Sequence, residues 1–425
     1  MANPASQHLY SRAFVPYFFT QALGALNDNA FRFAVMFLLT YHIADQHDLN
    51  LDVLMNLAAG LFILPFLLFS SLAGRITDQV NQAVMARILK STELTLMLAA
   101  ALAFYWQNVA FLMLLIFLMG LQSAFFGPLK YAIMPRLLAT HMLVRANGWV
   151  AMATFAAILT GTIIGGILTD VGPSPGLIAG VVVVMIAAVG LVAAWFIPSV
   201  PPVAEQSFAD TGAKLARPWR WPKLIFNTWQ EGFHTLRAQR WRLRVVLLLI
   251  SWFWFIGSAY LTQFPRFAEQ VLGLGPDQAT ALLATFALSI GAGGLAVGYL
   301  SGGKPRLWLA PIGALIVALA AFDWFYAVSI SPSVTRVFID VAITGVACGL
   351  FIVPLYTYLQ KATKPQERAR VIAGLNVQNA LAMITASVSA MIFFSLPGSS
   401  LPLFFVLFGS TGLLVAILAF RHLRN

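Results

Sequence analysis

The chain has 425 residues, of which 60% are hydrophobic and only 10% are charged, and its mean hydropathy is +0.83. An ordinary soluble domain is about 45–50% apolar and about 25% charged, so this composition excludes a soluble protein and indicates a membrane protein. The net charge of +11 does not indicate nucleic-acid binding, because the basic residues are scattered over short turns between apolar segments.

Apolar runs of about 20 residues, which cross a hydrocarbon core of roughly 30 Å, predict an all-α membrane protein with twelve transmembrane helices. The predicted spans are 14–40, 51–73, 84–106, 108–129, 146–169, 177–197, 245–264, 278–300, 308–329, 335–359, 371–395 and 401–420. We therefore predict an N-terminal six-helix bundle (1–197), a basic cytoplasmic linker (198–244) and a C-terminal six-helix bundle (245–425).

The Lys and Arg residues predict the orientation, because they accumulate on the cytoplasmic side of a membrane. We assign 23 of the 26 to the loops and helix ends of one side, Lys90 among them, which places both termini and the linker in the cytoplasm. The linker segment 214–244 combines basic residues with four tryptophans. It is either an amphipathic stretch on anionic headgroups or a plain solvated linker.

The first span contains four closely spaced polar residues, Asn27, Asp28, Asn29 and Arg32. Ionised groups at bilayer depth cost about 2.5–3.5 kcal/mol or more, so they usually face a bundle interior or a transport path. Asp28 and Arg32 stand at i and i+4, where one helical face can hold them as a pair. Two interpretations are open: a structural ion pair, or a cavity-facing acid that responds to substrate or protons.

The two halves of the chain share an internal repeat with an offset of 226 residues, which relates Pro128 to Pro354 and Gly148 to Gly374. Such repeats are typical of secondary transporters. The same offset relates Asp28 to Trp254, which lies in the aromatic run 252–255. A cavity with one polar and one aromatic wall suits an amphiphilic solute. The alternative is that these aromatic side chains face lipid.

Other polar residues in the spans are further candidates. Lys130 follows the Gly127-Pro128 break, where it can reach the same cavity or snorkel to the interface, and Gln122 lies about two turns deeper. Asn376, Gln378 and Asn379 of the eleventh span can bridge helices or bind a headgroup. The remaining charged candidates are the Arg336 and Asp340 pair, expected to be structural, and Arg266 at the outer rim of the seventh span.

Two groups of six spans with a long central loop resemble the major facilitator superfamily over the full length of the chain. The segment from Gly74 to Asp78, followed by Arg87, resembles the signature loop of that superfamily. Its glycine permits a tight turn, and its acid can cap or pair with a neighbouring helix. The basic cluster usual directly after the acid is replaced here by 79–82.

Two sets of segments carry a narrower resemblance: the first is 21–31, 126–131, 146–148, 161–166, 351–359 and 376–379, and the second is 251–255 and 260–265. The first set is similar to the lysophospholipid transporter family, and the second is closer to the transporter domain of acyltransferase-fused bacterial proteins. Where stand-alone family members carry an arginine in the seventh span, this chain has Leu261. We therefore expect Arg32 or Arg266 to supply the positive charge that this arginine provides in those family members.

The resemblance implies a secondary transporter of the bacterial inner membrane that moves lysophospholipids, such as lysophosphatidylethanolamine, to the cytoplasmic leaflet by alternating access. It also implies headgroup contact and a gating charge network at Asp28, Asn29 and Lys130. A separate acyltransferase would then be a partner, and we expect a monomer. The alternative is a proton-coupled exporter of drugs, siderophores or other amphiphilic molecules.

No catalytic constellation is present, and the chain contains no GxxxxGK[ST] nucleotide-binding motif. We therefore predict that the protein is not an enzyme and uses no cofactor. The histidines and aspartates of 42–48 could hold a metal, but a solvated loop is the simpler interpretation, so no metal site is predicted. Cys348 is the single cysteine, which excludes an intramolecular disulfide.

Overall fold

The computed structural model describes residues 6–39, 51–167, 175–203, 208–215 and 217–423. Within these residues every regular element is a helix, and one isolated parallel bridge joins Ser6 to Leu138. The α-helices are α1 (Phe14–Leu38), α2 (Leu51–Gln79), α3 (Gln82–Trp106), α4 (Val109–Leu137), α5 (Leu143–Ile167), α6 (Pro175–Trp195), α7 (Phe208–Leu215), α8 (Trp221–Arg237), α9 (Trp241–Gln270), α10 (Pro276–Leu300), α11 (Leu309–Ser329), α12 (Val334–Ala362), α13 (Arg368–Ser395) and α14 (Leu401–Leu423). The metal alternative at 42–48 lies outside the described residues.

The prediction of an all-α membrane protein is confirmed. Twelve of the helices are long, and in the described part of the chain eleven of these are both long and apolar enough to cross a membrane. The exception is α1, which has 25 residues but carries the four polar residues of the first span. Several helices extend past the predicted apolar runs, as α9 does at both ends, because a helix continues beyond the hydrocarbon core.

The internal repeat is visible in the helices themselves. Helices α4 and α12, the fourth long helix of each half, both contain 29 residues and an interior proline, Pro128 in α4 and Pro354 in α12. These are the two prolines that the sequence offset relates.

The predicted linker contains two helices, α7 and α8. Helix α8 packs against α2, with Gly232 beside the Ser71 side chain and Leu224 buried. Arg75 and Glu231 form a 3.3 Å ion pair between the same two helices. The opposite face is exposed, so α8 is an amphipathic helix and the plain solvated linker is wrong here. Contact of α8 with headgroups stays a prediction.

Contacts divide the chain into two compact units. The first unit is Met1–Ala139, Ala157–Ala238 and Thr363–Val377, and the second is Thr140–Ala156, Gln239–Ala362 and Gln378–Asn425. Helices α5 and α13 thus contribute residues to both units. The contiguous domains predicted from the sequence (1–197, 198–244 and 245–425) stay predictions.

The core of the first unit is formed by five of its long helices. Helix α2 packs on α4, α3 packs on α4 and α6, and α1 packs on α6 and α4. Their buried side chains include Phe31, Met97, Phe104, Leu112 and Met119. Lipid tails are as apolar as leucine, so tight van der Waals packing holds such helices together.

The second unit has an aromatic core. Helix α10 packs on α12, and α11 packs on α12 and α14. Between α9, α11 and α14, the rings of Tyr260, Phe264, Trp324 and Phe405 lie with centroids 4.9–6.2 Å apart. The Tyr260 hydroxyl donates to the Phe405 carbonyl oxygen at 3.1 Å, so this buried polar group is hydrogen-bonded within the unit.

Helices α10 and α12 approach so closely that their contact requires glycine. A Cβ added at Gly349 would overlap the Ile290 carbonyl oxygen and lie 2.7 Å from the backbone carbonyl carbon of Gly293. These neighbours are backbone atoms, so neither helix can make room without moving as a whole. Small residues at helix contacts permit this type of packing in membranes.

We predict that Gly349→Ala lowers the free energy of unfolding by about 1–3 kcal/mol, because the added methyl group overpacks this contact. Gly257→Ala is the matched control, since a Cβ at this helical glycine meets nothing within 4 Å. Denaturant unfolding of both variants in detergent micelles measures the difference. Equal stability of the two variants would contradict the close contact of α10 with α12.

Candidate functional site

The polar residues of α1 are bonded to different partners. Ser123 of α4 donates its hydroxyl hydrogen to Asp28 Oδ2 at 2.6 Å, whereas the buried Asp28 Oδ1 accepts from no group in the described chain. Arg32 donates through Nη2 to Asn29 Oδ1 at 2.8 Å, and its guanidinium lies over the Phe62 ring. The structural Asp28–Arg32 ion pair is therefore wrong: no such pair lies within 4.0 Å among these residues, because Asn29 holds the guanidinium instead.

A second polar group lies beside Asp28 and is fully buried. Lys90 Nζ lies 2.6 Å from Glu93 Oε2, and each side chain is 1% exposed. Asn27 donates to Glu93 Oε1 at 3.0 Å, and Gln122 donates to the Leu89 carbonyl oxygen at 3.2 Å and lies 3.4 Å from Glu93 Oε2. A buried ion pair needs such additional bonds to offset its desolvation. We call Asn27, Asp28, Lys90, Glu93, Gln122 and Ser123 the polar cluster.

Sequence reasoning missed Glu93 and placed Lys90 wrongly. Lys90 was assigned to a cytoplasmic helix end, but its ammonium is buried beside Gly190, where a Cβ would lie 2.7 Å from Nζ. Glu93 stands at i+3 from Lys90 and pairs with it inside the unit, which accounts for the burial of the ammonium. An acid in the middle of the third span was the available signal, by the same argument that identified Asp28.

Lys130 lies within electrostatic reach of the polar cluster. Its charge acts on Asp28, as do those of Glu93, Lys90 and Arg32. Its ammonium is 5.4 Å from the Tyr131 ring centroid, and its carbonyl oxygen accepts from the Tyr17 hydroxyl at 2.5 Å. The role of Lys130 in headgroup contact stays a prediction.

The predicted signature loop forms part of a contact with the first turn of α13, within the first unit. Asp78 Oδ1 accepts from the Ala369 backbone N–H at 3.3 Å, and Oδ2 lies 3.4 Å from Arg370 Nε. The tight turn expected at Gly74 is wrong, because Gly74 lies within helix α2. It faces Ala369 instead, whose carbonyl oxygen would lie 2.7 Å from a Cβ at this position. A carboxylate at a helix N-terminus is favoured by the helix dipole.

Arg87, the third predicted signature-loop residue, is not bonded to Asp78. Its Nη2 donates to the carbonyl oxygens of Trp195 and Ile197 at 3.2 and 2.9 Å, and its guanidinium lies 5.2 Å from the Trp195 ring centroid. Arg87 of α3 therefore binds the C-terminal end of α6.

The aromatic run 252–255 is packed inside the second unit. Trp254 Nε1 donates to the Tyr356 hydroxyl at 3.3 Å, and Trp252 Nε1 donates to Thr411 Oγ1 at 2.9 Å. Phe253 is buried, and the rings of Phe255 and Phe408 stack 5.6 Å apart. Trp252, Trp254 and Phe255 are half-buried, so the lipid-facing alternative stays open. Contact of Trp254 with substrate stays a prediction.

The three amides of the eleventh span do not form one group. Asn379 accepts from Ser251 at 2.9 Å, which bridges α13 and α9 in the second unit. Asn376 belongs to the first unit, where its Nδ2 lies next to Gly127 and is buried without an acceptor in the described chain. Gln378 is half-buried.

The predicted pair of Arg336 and Asp340 is wrong. Arg336 forms a two-point contact with Asp323 on the neighbouring helix α11, with its Nε at 2.8 Å from Oδ2. The fork of two parallel bonds to one carboxylate is the favoured geometry for arginine. Arg266 is exposed, and its guanidinium lies 5.3 Å from the Phe394 ring centroid.

Comparison with known proteins places this fold in a known group. The sequence profile described as Major Facilitator Superfamily matches residues 18–339. The chain is 27% identical over 369 residues to the lysophospholipid transporter LplT of Yersinia enterocolitica, which covers 85% of this chain and 81% of the relative. It is 26% identical to the LplT of Serratia proteamaculans over 85% of this chain and 83% of that one.

Solved structures share the fold at low sequence identity. The human organic anion transporter MFSD10 (TETRAN) superimposes with a TM-score of 0.77 at 16% identity, over 96% of this chain and 99% of that one. The transporter FucP in its outward conformation gives 0.71 at 13% identity, over 97% and 99%. The long helices and these neighbours together describe a multi-pass membrane protein.

We predict that Glu93→Gln lowers the free energy of unfolding by about 3–5 kcal/mol, because it leaves the Lys90 ammonium buried without a counter-ion. Glu231→Gln is the matched control. It removes the exposed ion pair with Arg75, whose glutamate is 52% exposed, and should lower stability by less than about 1 kcal/mol. Chemical denaturation in detergent micelles measures both.

The double variant Lys90→Met/Glu93→Gln tests the cause of that loss. Removing both charges should recover more than half of the stability that Glu93→Gln loses, since no uncompensated charge stays buried. A double variant as unstable as Glu93→Gln would assign the loss to packing.

Proposed function

Since the chain belongs to the Major Facilitator Superfamily, we propose that it is a secondary transporter that moves lysophospholipids toward the cytoplasmic leaflet of the bacterial inner membrane by alternating access. The names of its relatives from Yersinia and Serratia support this substrate class. In this proposal the protein is not an enzyme, and reacylation is left to a separate acyltransferase.

The observation that carries the proposal is the Asp28 carboxylate. One of its oxygens accepts from Ser123, and the other is buried without a donor among the described residues. A buried charged oxygen without a hydrogen bond costs about 1–3 kcal/mol or more, unless a ligand supplies the missing donor. The ammonium of an ethanolamine headgroup is such a donor.

The charges near Asp28 also support a phosphate-containing substrate. Three cations, Arg32, Lys90 and Lys130, and one further acid, Glu93, interact electrostatically with Asp28. With all five ionised, the group keeps one excess positive charge. Lys90 is paired with Glu93, and we propose that the phosphate contacts Arg32 or Lys130.

We predict that Asp28→Asn lowers the transport of labelled lysophosphatidylethanolamine in proteoliposomes at least about tenfold, because a neutral amide loses a charge-assisted contact of about 1.5–3 kcal/mol. The amide oxygen can still accept from Ser123, so the fold should be retained. Asp277→Asn, at an exposed acid in the first turn of α10, is the matched control and should transport normally. Undiminished transport by folded Asp28→Asn would contradict the assignment.

The same proteoliposomes separate lysolipid transport from the proton-coupled exporter. We predict that the wild-type protein moves lysophosphatidylethanolamine with no imposed pH gradient and does not accumulate ethidium when a gradient is present. Gradient-dependent movement of ethidium without movement of the lysolipid would replace the proposal with the exporter, in which Asp28 carries the proton.

A further inference from the structure

The outer face of α3 carries two adjoining grooves. The first has a volume of about 540 Å³, lies beside the end of α6, and is lined by Arg87 and Trp195 together with Ser91, Thr92 and Thr95. The second has a volume of about 470 Å³, lies between α3 and α4, and is apolar, with Phe208 of α7 among its lining residues. Val84, Ile88 and Thr92 line both, so the two grooves share one wall.

This face of α3 is turned away from the interior of the first unit. Ile88 is 60% exposed, and further along α3 Leu98 and Leu102 are exposed as well. Helix α3 is long and apolar enough to cross a membrane. An exposed apolar row on a membrane-spanning helix faces lipid tails, so the grooves open toward the bilayer.

Arg87 is the only charged residue that lines either groove in the described chain. Its guanidinium donates to two carbonyl oxygens and lies on the Trp195 ring, which fixes its position. Among the described residues, no carboxylate oxygen lies within 4.0 Å of it. A fixed cation without a counter-ion therefore stands at one end of an apolar groove.

We propose that the two grooves bind an anionic phospholipid of the surrounding membrane, with its phosphate at Arg87 and one acyl chain between α3 and α4. Arginine is well suited to bind phosphate, and an apolar wall suits a hydrocarbon chain. This site lies on the outer face of α3, shares only Gln122 with the polar cluster, and is independent of the transported substrate.

Gln122 gives the proposed lipid a structural consequence. It lines the second groove, and its amide also donates to the Leu89 carbonyl oxygen next to the Lys90–Glu93 pair. An acyl chain in the groove would pack against Gln122 and shield this bond from competing water. The lipid would thus support the polar cluster from the membrane side.

Native mass spectrometry of the purified protein with phosphatidylglycerol or phosphatidylcholine of identical chains tests the proposal. Wild-type protein should retain phosphatidylglycerol preferentially, and Arg87→Gln should bind it about fivefold more weakly, the expected loss for one cation near an anionic lipid surface. Arg244→Gln is the matched control, since Arg244 also lies on a tryptophan ring, at 5.1 Å from Trp241, but lines neither groove.

Thr92→Trp provides a second variant, because it fills the shared wall from the exposed side and leaves Arg87 in place. It should reduce retention of both lipids. Unchanged phosphatidylglycerol binding by Arg87→Gln would overturn the proposal. Displacement of phosphatidylglycerol by glycerol phosphate alone would overturn the acyl-chain part, and equal displacement by lysophosphatidylethanolamine would show a substrate site instead of a membrane-lipid site.

Discussion

An ion pair that has left water must meet its remaining hydrogen-bonding needs inside the protein, and the Lys90–Glu93 pair imposes that requirement on the first unit. Asn27 and Gln122 meet it from α1 and α4, so three helices are tied together by polar bonds at bilayer depth. Lipid offers no replacement for these bonds. Asp28, next to this group, keeps one oxygen without a donor among the described residues, and the proposed headgroup contact depends on that oxygen.

The second unit meets the demands of the membrane by packing. Its interior is an aromatic cluster around Trp324, and at Gly349 two helices approach to backbone contact. The polar atoms of its aromatic run are bonded within the unit, as Trp254 is to Tyr356. The repeat that relates Pro128 to Pro354 has thus diverged into one half rich in buried charge and one half rich in aromatic rings. Such a division suits a solute with a charged head and an apolar tail.

Arg87 shows how a residue of a signature loop can acquire a different task. Asp78 contacts the first turn of α13, as expected for the acid of that loop, whereas Gly74 lies within α2 and packs on the same helix. Arg87 instead bonds to the end of α6 and leaves its charge in a groove on the exposed side of α3. Its charge is available to a lipid phosphate because no described carboxylate neutralises it.

The sequence by itself determined the fold class, the long helices and the importance of α1, because apolar length and a charged residue at bilayer depth are local properties of the chain. Only the tertiary structure decided which polar groups meet. Lys90 pairs with Glu93 instead of lying at a helix end. Arg32 bonds to Asn29 instead of Asp28. Arg336 pairs with Asp323 instead of Asp340. A carboxylate at i+4 is only one of the partners within reach. Helix packing selects the partner by bringing distant residues together, which spacing along the sequence does not encode.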